Sequence, residues 1–152
     1  MKRFRFPLRP IAILRAHHET RAREAFGAAV HAFIKTEQEL AATRERGAQF
    51  EAALAAGRRE RFSALSEAQA LAAYRRERVL ESEAERRCNE SRDVMQLRRT
   101  EYLEAHRRVE VVSRLEVKAR VAHREDCNRE EQAGFDEFAA RRTALRENAF
   151  ST

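Results

Sequence analysis

The first half of the chain carries apolar and small residues in two rows at helical spacing. One row repeats every seven residues: Phe26, Phe33, Leu40, Gly47 and Leu54. The second row lies three residues after the first: Ala29, Thr36, Thr43 and Phe50. Two such rows form the narrow seam along which one α-helix supercoils against another. The pattern predicts helix one over residues 11–56.

The second half carries one stripe of residues separated by threes and fours. Its members are Leu80, Ala84, Cys88, Ser91, Met95, Arg98, Tyr102, Ala105, Val109 and Val112. The stripe predicts helix two over residues 67–147. Between the helices, Gly57 is a plausible helix stop, and Ser66 with Gln69 forms a candidate capping box. These residues predict a turn over 57–66, and the two prolines predict an extended lead-in over 1–10.

The predicted fold class is all-α, a single domain over residues 1–152 in which two long helices form an antiparallel coiled-coil hairpin. With the turn centred near residue 61, Phe26 faces Leu97. The second helix is longer, so its end projects beyond helix one. Phe135 and Phe138 lie on that end, where exposed phenylalanines gain nothing. Either the segment holding Phe4, Phe6 and Leu8 covers them, or a partner protein does.

Composition argues against an enzyme. The chain is 37% charged and contains 4 Gly and no Trp, which suits a long coiled coil better than a globule with a catalytic cleft. No grouping of histidines, cysteines or paired carboxylates points to catalysis or metal binding, and no cofactor is expected. Cys88 and Cys127 would lie about 58 Å apart on one helix, too far for a disulfide. A reducing cytoplasm fits unpaired thiols.

The net charge of +6 and pI near 10.1 raise the question of nucleic-acid binding. Basic and acidic residues are intermixed, however, as is usual for a solvated helix surface with some attraction for acidic partners. No specific nucleic-acid partner is therefore predicted. The basic start lacks a secretory apolar region, and no stretch approaches the ~20 apolar residues that span a bilayer. The expected location is the cytoplasm, without direct membrane insertion.

Leu71 and Tyr74 lie beside the predicted stripe rather than on it. Two interpretations of this pair remain open. In the first, Phe50 and Leu54 cover the pair; in the second, the two side chains form a small docking patch near the turn.

Both ends of the sequence carry motifs of a known family. The start FRFPLRP, from Phe4 to Pro10, resembles the F-x-F-x-L start of FliJ, the flagellar type III export protein. The run EEQ at 130–132, followed by DEF at 136–138 and RR at 141–142, is similar to that family's charged ending. Chain length and the hairpin layout agree with the family over essentially the whole chain.

The resemblance implies a non-enzymatic, stalk-like coiled coil of the flagellar export apparatus. Family members engage the hexameric export ATPase, contact the cytoplasmic domain of the export-gate membrane protein and handle export chaperones. They would be cytoplasmic and peripherally associated with the membrane-bound apparatus. By this analogy Phe4, Phe6, Phe135 and Phe138 face the ATPase. Leu71 and Tyr74 face the gate.

Three alternatives stay open at the level of sequence. The first is the stalk protein of a virulence type III secretion system, which shares the layout. The second is a basic helical hairpin that binds RNA, and the third is a structural coiled coil that self-associates.

Overall fold

Two long helices form the protein. A computed structural model describes residues 3–60 and 63–150, with side chains described as far as residue 143. Helix α1 spans Arg9–Arg59 and helix α2 spans Ala64–Phe150. The described chain is 94% helical, contains no strand, and has the two helices packed against each other with the second longer. The predicted fold class is therefore confirmed.

Each of two compact units contains a stretch of both helices. One unit comprises His18–Ala105, and the other comprises Met1–His17 together with His106–Thr152. In the first unit the rings of Phe26 and Tyr102 stack at a centroid distance of 6.2 Å. In the second unit Arg15 Nη1 donates a hydrogen bond of 3.1 Å to the carbonyl of Arg108.

The buried residues of α1 follow the two predicted rows. They are Ala29, Leu40, Thr43, Gly47, Leu54 and Gly57. Leu40 packs with Ala84 and Cys88 of α2, and Phe33 lies against this cluster. Cys88 is 1% exposed, so the centre of the seam is filled by a small side chain that lets the two backbones approach.

The helices pair about one helical turn away from the predicted register. Phe26 stacks on Tyr102 rather than facing Leu97, which is 56% exposed. Gly57 is buried in the seam instead of ending the helix, so α1 continues to Arg59. Helix α1 thus extends three residues into the predicted turn, and α2 begins three residues earlier than predicted.

The start of α2 also differs from the predicted capping box. The Ser66 amide donates a 3.2 Å hydrogen bond to Ser63 Oγ, and the two serine hydroxyl oxygens are 2.8 Å apart. Ser63 therefore caps the helix, and the assignment of that role to Ser66 with Gln69 is wrong. Because α2 begins at Ala64, Ser66 already lies inside its first turn.

Two residues of the predicted stripe on α2 do not lie in the seam. Leu80 and Arg98 are both exposed, and Glu77 and Glu81 lie half-buried where Leu80 was expected. Gly47 lies opposite, since a Cβ there would be 4.0 Å from Glu81 Oε2. Even a Cβ at this position would make only ordinary van der Waals contact with the glutamate. Arginines of α1 supply the counter-charge of Glu77 and Glu81.

Those arginines reach across the seam. Arg44 Nε lies 3.5 Å from Glu81 Oε1, and Arg46 Nε lies 3.5 Å from Glu77 Oε2. Nearer the turn, Arg58 Nε donates to Glu67 Oε1 at 2.9 Å. Exposed ion pairs contribute little stability individually. Arg44 Nη2 also lies 3.3 Å from Glu85 Oε1, one helical turn after Glu81, so Arg44 would keep a partner after a shift of one turn. These pairs therefore add attraction between the helices without fixing the register.

We expect Leu40→Ala to lower the free energy of unfolding by about 2–4 kcal/mol, because it opens a cavity in the seam. Leu97→Ala removes the same atoms from an exposed side chain and should cost less than about 1 kcal/mol. Urea denaturation followed by circular dichroism measures both values. Equal losses for the two variants would mean that Leu97 lies in the seam and that the observed register is wrong.

The cap at the start of α2 gives a second prediction. Ser63→Ala removes the acceptor for the Ser66 amide and should cost about 1 kcal/mol of stability. Ser66→Ala keeps that acceptor and should cost less. Thermal denaturation of the two single variants compares them, and a larger loss for Ser66→Ala would restore Ser66 as the capping residue.

Candidate protein-interaction surfaces

The lead-in before α1 is held on α2 by an aromatic contact. The Phe4 ring meets His123 edge-on, with centroids 5.4 Å apart and planes at 73°. The Arg120 guanidinium carbon lies 5.4 Å from the centroid of the same ring. Phe4 and Phe6 are both half-buried. The lead-in therefore extends the pairing with α2 beyond the point where α1 begins.

The end of α2 beyond this contact has no cover within the part of the chain that the structure describes. Every residue from 128 to 143 is exposed, and Phe135 and Phe138 are 69% and 66% exposed. Phe4 contacts α2 about three helical turns before Phe135. The alternative in which the lead-in covers the two phenylalanines is thus wrong, and the structure does not bring the four predicted ATPase-facing residues together.

We call Phe135 and Phe138 the phenylalanine pair. Together with Glu131 and Gly134 they line a shallow apolar hollow on α2. The preceding stretch is acidic, with Glu125, Asp126, Glu130, Glu131, Asp136 and Glu137. Arg129 and Arg141 neutralise part of this charge, and Arg141 Nη2 lies 2.6 Å from Glu137 Oε1. The pair is therefore an apolar spot in negative surroundings.

The second predicted patch is only partly available. Leu71 and Tyr74 are half-buried, so each keeps only part of its side chain exposed to solvent. Arg75, Arg76, Val79 and Leu80 line a second apolar hollow close by, and Val79 is 57% exposed. The sequence analysis missed Val79. Val79 could have been found from its position about two helical turns after Leu71, on the same flank of α2.

One further contact involves groups with chemistry of their own. Cys127 Sγ lies 3.6 Å from Nδ1 of His123, four residues earlier on α2. Cys127 and Cys88 are both free cysteines. Among the described residues, no group of three His, Cys, Asp or Glu side chains could hold a metal ion. The pair alone is too small a donor set for a structural metal site.

The exposed apolar residues are scattered along polar helices. Over the part of the chain described, neither helix has a stretch long and apolar enough to cross a bilayer. What these surfaces can do is bind another surface, by burying apolar side chains that already face water.

The sequence matches the model of a known protein family. The family model described as the flagellar FliJ protein matches residues 4–148. No curated protein and no solved structure matches the chain. The match covers the lead-in, both helices and the phenylalanine pair, and the family is a non-catalytic component of flagellar protein export. This chain belongs to the FliJ family of flagellar export proteins.

Proposed function

We propose that this chain is a stalk-like, non-enzymatic coupling component that engages the export ATPase ring, contacts the cytoplasmic domain of the export gate and escorts export chaperones. The observation that carries the proposal is the uncovered phenylalanine pair at the end of α2. Two neighbouring aromatic side chains that the described part of the chain leaves uncovered are suited to act as buried anchors at a protein interface. Because the chain belongs to the FliJ family, we propose the export ATPase as the partner of the phenylalanine pair.

The charge around the pair specifies the partner surface. Six acidic residues lie between 125 and 137, against one basic residue, Arg129. A matching surface on the ATPase should therefore present an apolar groove with basic residues at its rim. The net positive charge of the whole chain suggests acidic partner loops instead, but that charge does not lie at this end of α2.

Phe4 and Phe6 have a different role in this proposal from the one that their motif implies. Phe4 is engaged with His123 and Arg120, and both phenylalanines are half-buried. Residues already packed within the chain have less apolar area left for a partner. We assign them to holding the lead-in on α2 and assign the direct contact to the phenylalanine pair.

The gate contact is proposed for the flank of α2 that holds Leu71, Tyr74 and Val79. Tyr74 lies nearer the seam, so truncating it would disturb helix pairing as well as any partner contact. Leu71 and Val79 lie further out on that flank, with Arg75 between them. These two aliphatic side chains offer the cleaner test.

We expect the double variant Phe135→Ala/Phe138→Ala to bind the export ATPase at least about tenfold more weakly, because two anchor side chains are lost. Helicity should be unchanged, since neither residue lies in the seam. Val94→Ala/Leu97→Ala is the matched control, with the same three-residue spacing and similar exposure on α2. Biolayer interferometry with the purified ATPase and circular dichroism provide the two readouts.

An equal loss in the variant and the control would remove the phenylalanine pair from the interface. A fall in helicity that parallels the fall in binding would show that the pair is structural.

For the gate, Leu71→Ala/Val79→Ala should weaken binding to the gate's cytoplasmic domain several-fold while leaving ATPase binding intact. The physical reason is loss of apolar area at the proposed contact. Isothermal titration calorimetry with the isolated gate domain measures it, again beside Val94→Ala/Leu97→Ala. Unchanged gate affinity would exclude this flank.

A further inference from the structure

The net positive charge of the chain belongs to one of its two units. His18–Ala105 contains equal numbers of basic and acidic residues. The entire net charge of +6 therefore lies on the unit formed by Met1–His17 and His106–Thr152. Within that unit, the first 17 residues include five basic residues and no acidic one. Such a concentration attracts anionic surfaces over distances up to about the ~10 Å Debye length.

The paired part of α2 in this unit is basic as well. Residues 106–124 include six basic side chains: Arg107, Arg108, Arg114, Lys118, Arg120 and Arg124. The two acidic residues of this stretch are each beside an arginine. Glu116 Oε1 lies 2.8 Å from Arg120, and Glu110 Oε1 lies 3.8 Å from Arg114. With six basic and two acidic residues, this stretch keeps an excess of four positive charges.

Aliphatic side chains share the same outer face of α2. At 100° per residue, Arg107, Arg114 and Lys118 lie on the side of the helix opposite the seam residues Val109 and Val112. Exposed aliphatic residues fall among and beside them: Val111, Leu115, Val117 and Val121. Val117 and Val121 are 61% and 50% exposed. The first turns of α1 add exposed Ile13 and Leu14 to the same unit. We call these exposed basic and aliphatic residues of α2, between Arg107 and Val121, the basic aliphatic face.

The geometry points to an anionic lipid surface as the ligand of the basic aliphatic face. Basic side chains are drawn to lipid phosphates, and aliphatic side chains between them enter the boundary between headgroups and acyl chains. Single-stranded nucleic acid would also use the arginines, but its bases stack on aromatic side chains, and this face carries none. Binding at headgroup depth needs no bilayer-spanning helix.

The acidic stretch in the same unit limits which part of α2 can approach an anionic membrane. Residues 125–137 carry six carboxylates, which an anionic membrane repels. The phenylalanine pair lies in and just after this stretch. Adsorption through the basic aliphatic face would therefore leave the pair in water and available to a protein partner.

Co-sedimentation of the full-length protein with lipid vesicles tests the proposal. Binding is expected with vesicles rich in phosphatidylglycerol and not with pure phosphatidylcholine, and it should fall as salt is raised. Arg107→Gln/Lys118→Gln should weaken binding by about 30-fold, from about 1 kcal/mol per basic residue. Val117→Ser/Val121→Ser should weaken it by about tenfold.

Arg87→Gln/Arg99→Gln is the matched charge control. It lowers the net charge equally, at two exposed arginines of the other unit with similar spacing, and should bind as the wild type does. Phe135→Ala/Phe138→Ala should also bind vesicles normally, so this test is independent of the one for the ATPase. Circular dichroism checks that each variant keeps its helicity.

Three outcomes would overturn the proposal. One is failure of the wild type to sediment with phosphatidylglycerol vesicles. Another is equal weakening by the control pair, which would make the effect one of total charge. The third is loss of vesicle binding with the basic pair but not with the valine pair, accompanied by tight binding to random RNA, which would identify a polyanion site.

Discussion

The fold depends on two helices removing one narrow stripe of each other from water. An isolated helix with one apolar row gains little stability in water, and most of its stability comes from a partner that covers the row. Here α1 and α2 supply that cover to each other through residues spaced by threes and fours. Leu40, Ala84 and Cys88 form the tightest part of the contact. Loss of this contact would remove the main reason for either helix to persist.

The seam contains polar residues, and not every polar atom in it is hydrogen-bonded: within the described part of the chain, Glu77 Oε2 is buried without a hydrogen-bond partner. Thr43 is buried, and its hydroxyl donates to the carbonyl of Glu39 at 2.8 Å. Glu77 and Glu81 are paired with Arg46 and Arg44 across the helices. These contacts offset part of the cost of placing polar groups between the helices. The seam thus exchanges some apolar burial for ion pairs and hydrogen bonds.

The unit that holds both termini separates two kinds of surface along α2. Up to Arg124 the helix is basic with exposed aliphatic residues, and from Glu125 it becomes acidic and carries the phenylalanine pair. Phe4 packs at His123, close to this change of charge. On our proposals, these opposite charges direct the two stretches to different partners, an anionic surface and a protein groove with a basic rim.

Local sequence determined that the chain forms two long helices, where the seam of α1 lies and, through its terminal motifs, which family it belongs to. Helical periodicity is a property of neighbouring residues, so it can be read without knowing the partner. Sequence also identified Phe135 and Phe138 as side chains in need of cover. It did not locate Val79 or the basic aliphatic face, because both lie outside the repeating rows.

Only the tertiary structure decided the register, the cap at Ser63, the packing of Phe4 and the exposure of the phenylalanine pair. A seam built on a repeating pattern looks nearly the same after a shift of one helical turn, so the pattern alone cannot choose between alignments. Contacts between residues distant in the chain make that choice. Phe26 on Tyr102 and Phe4 on His123 are such contacts.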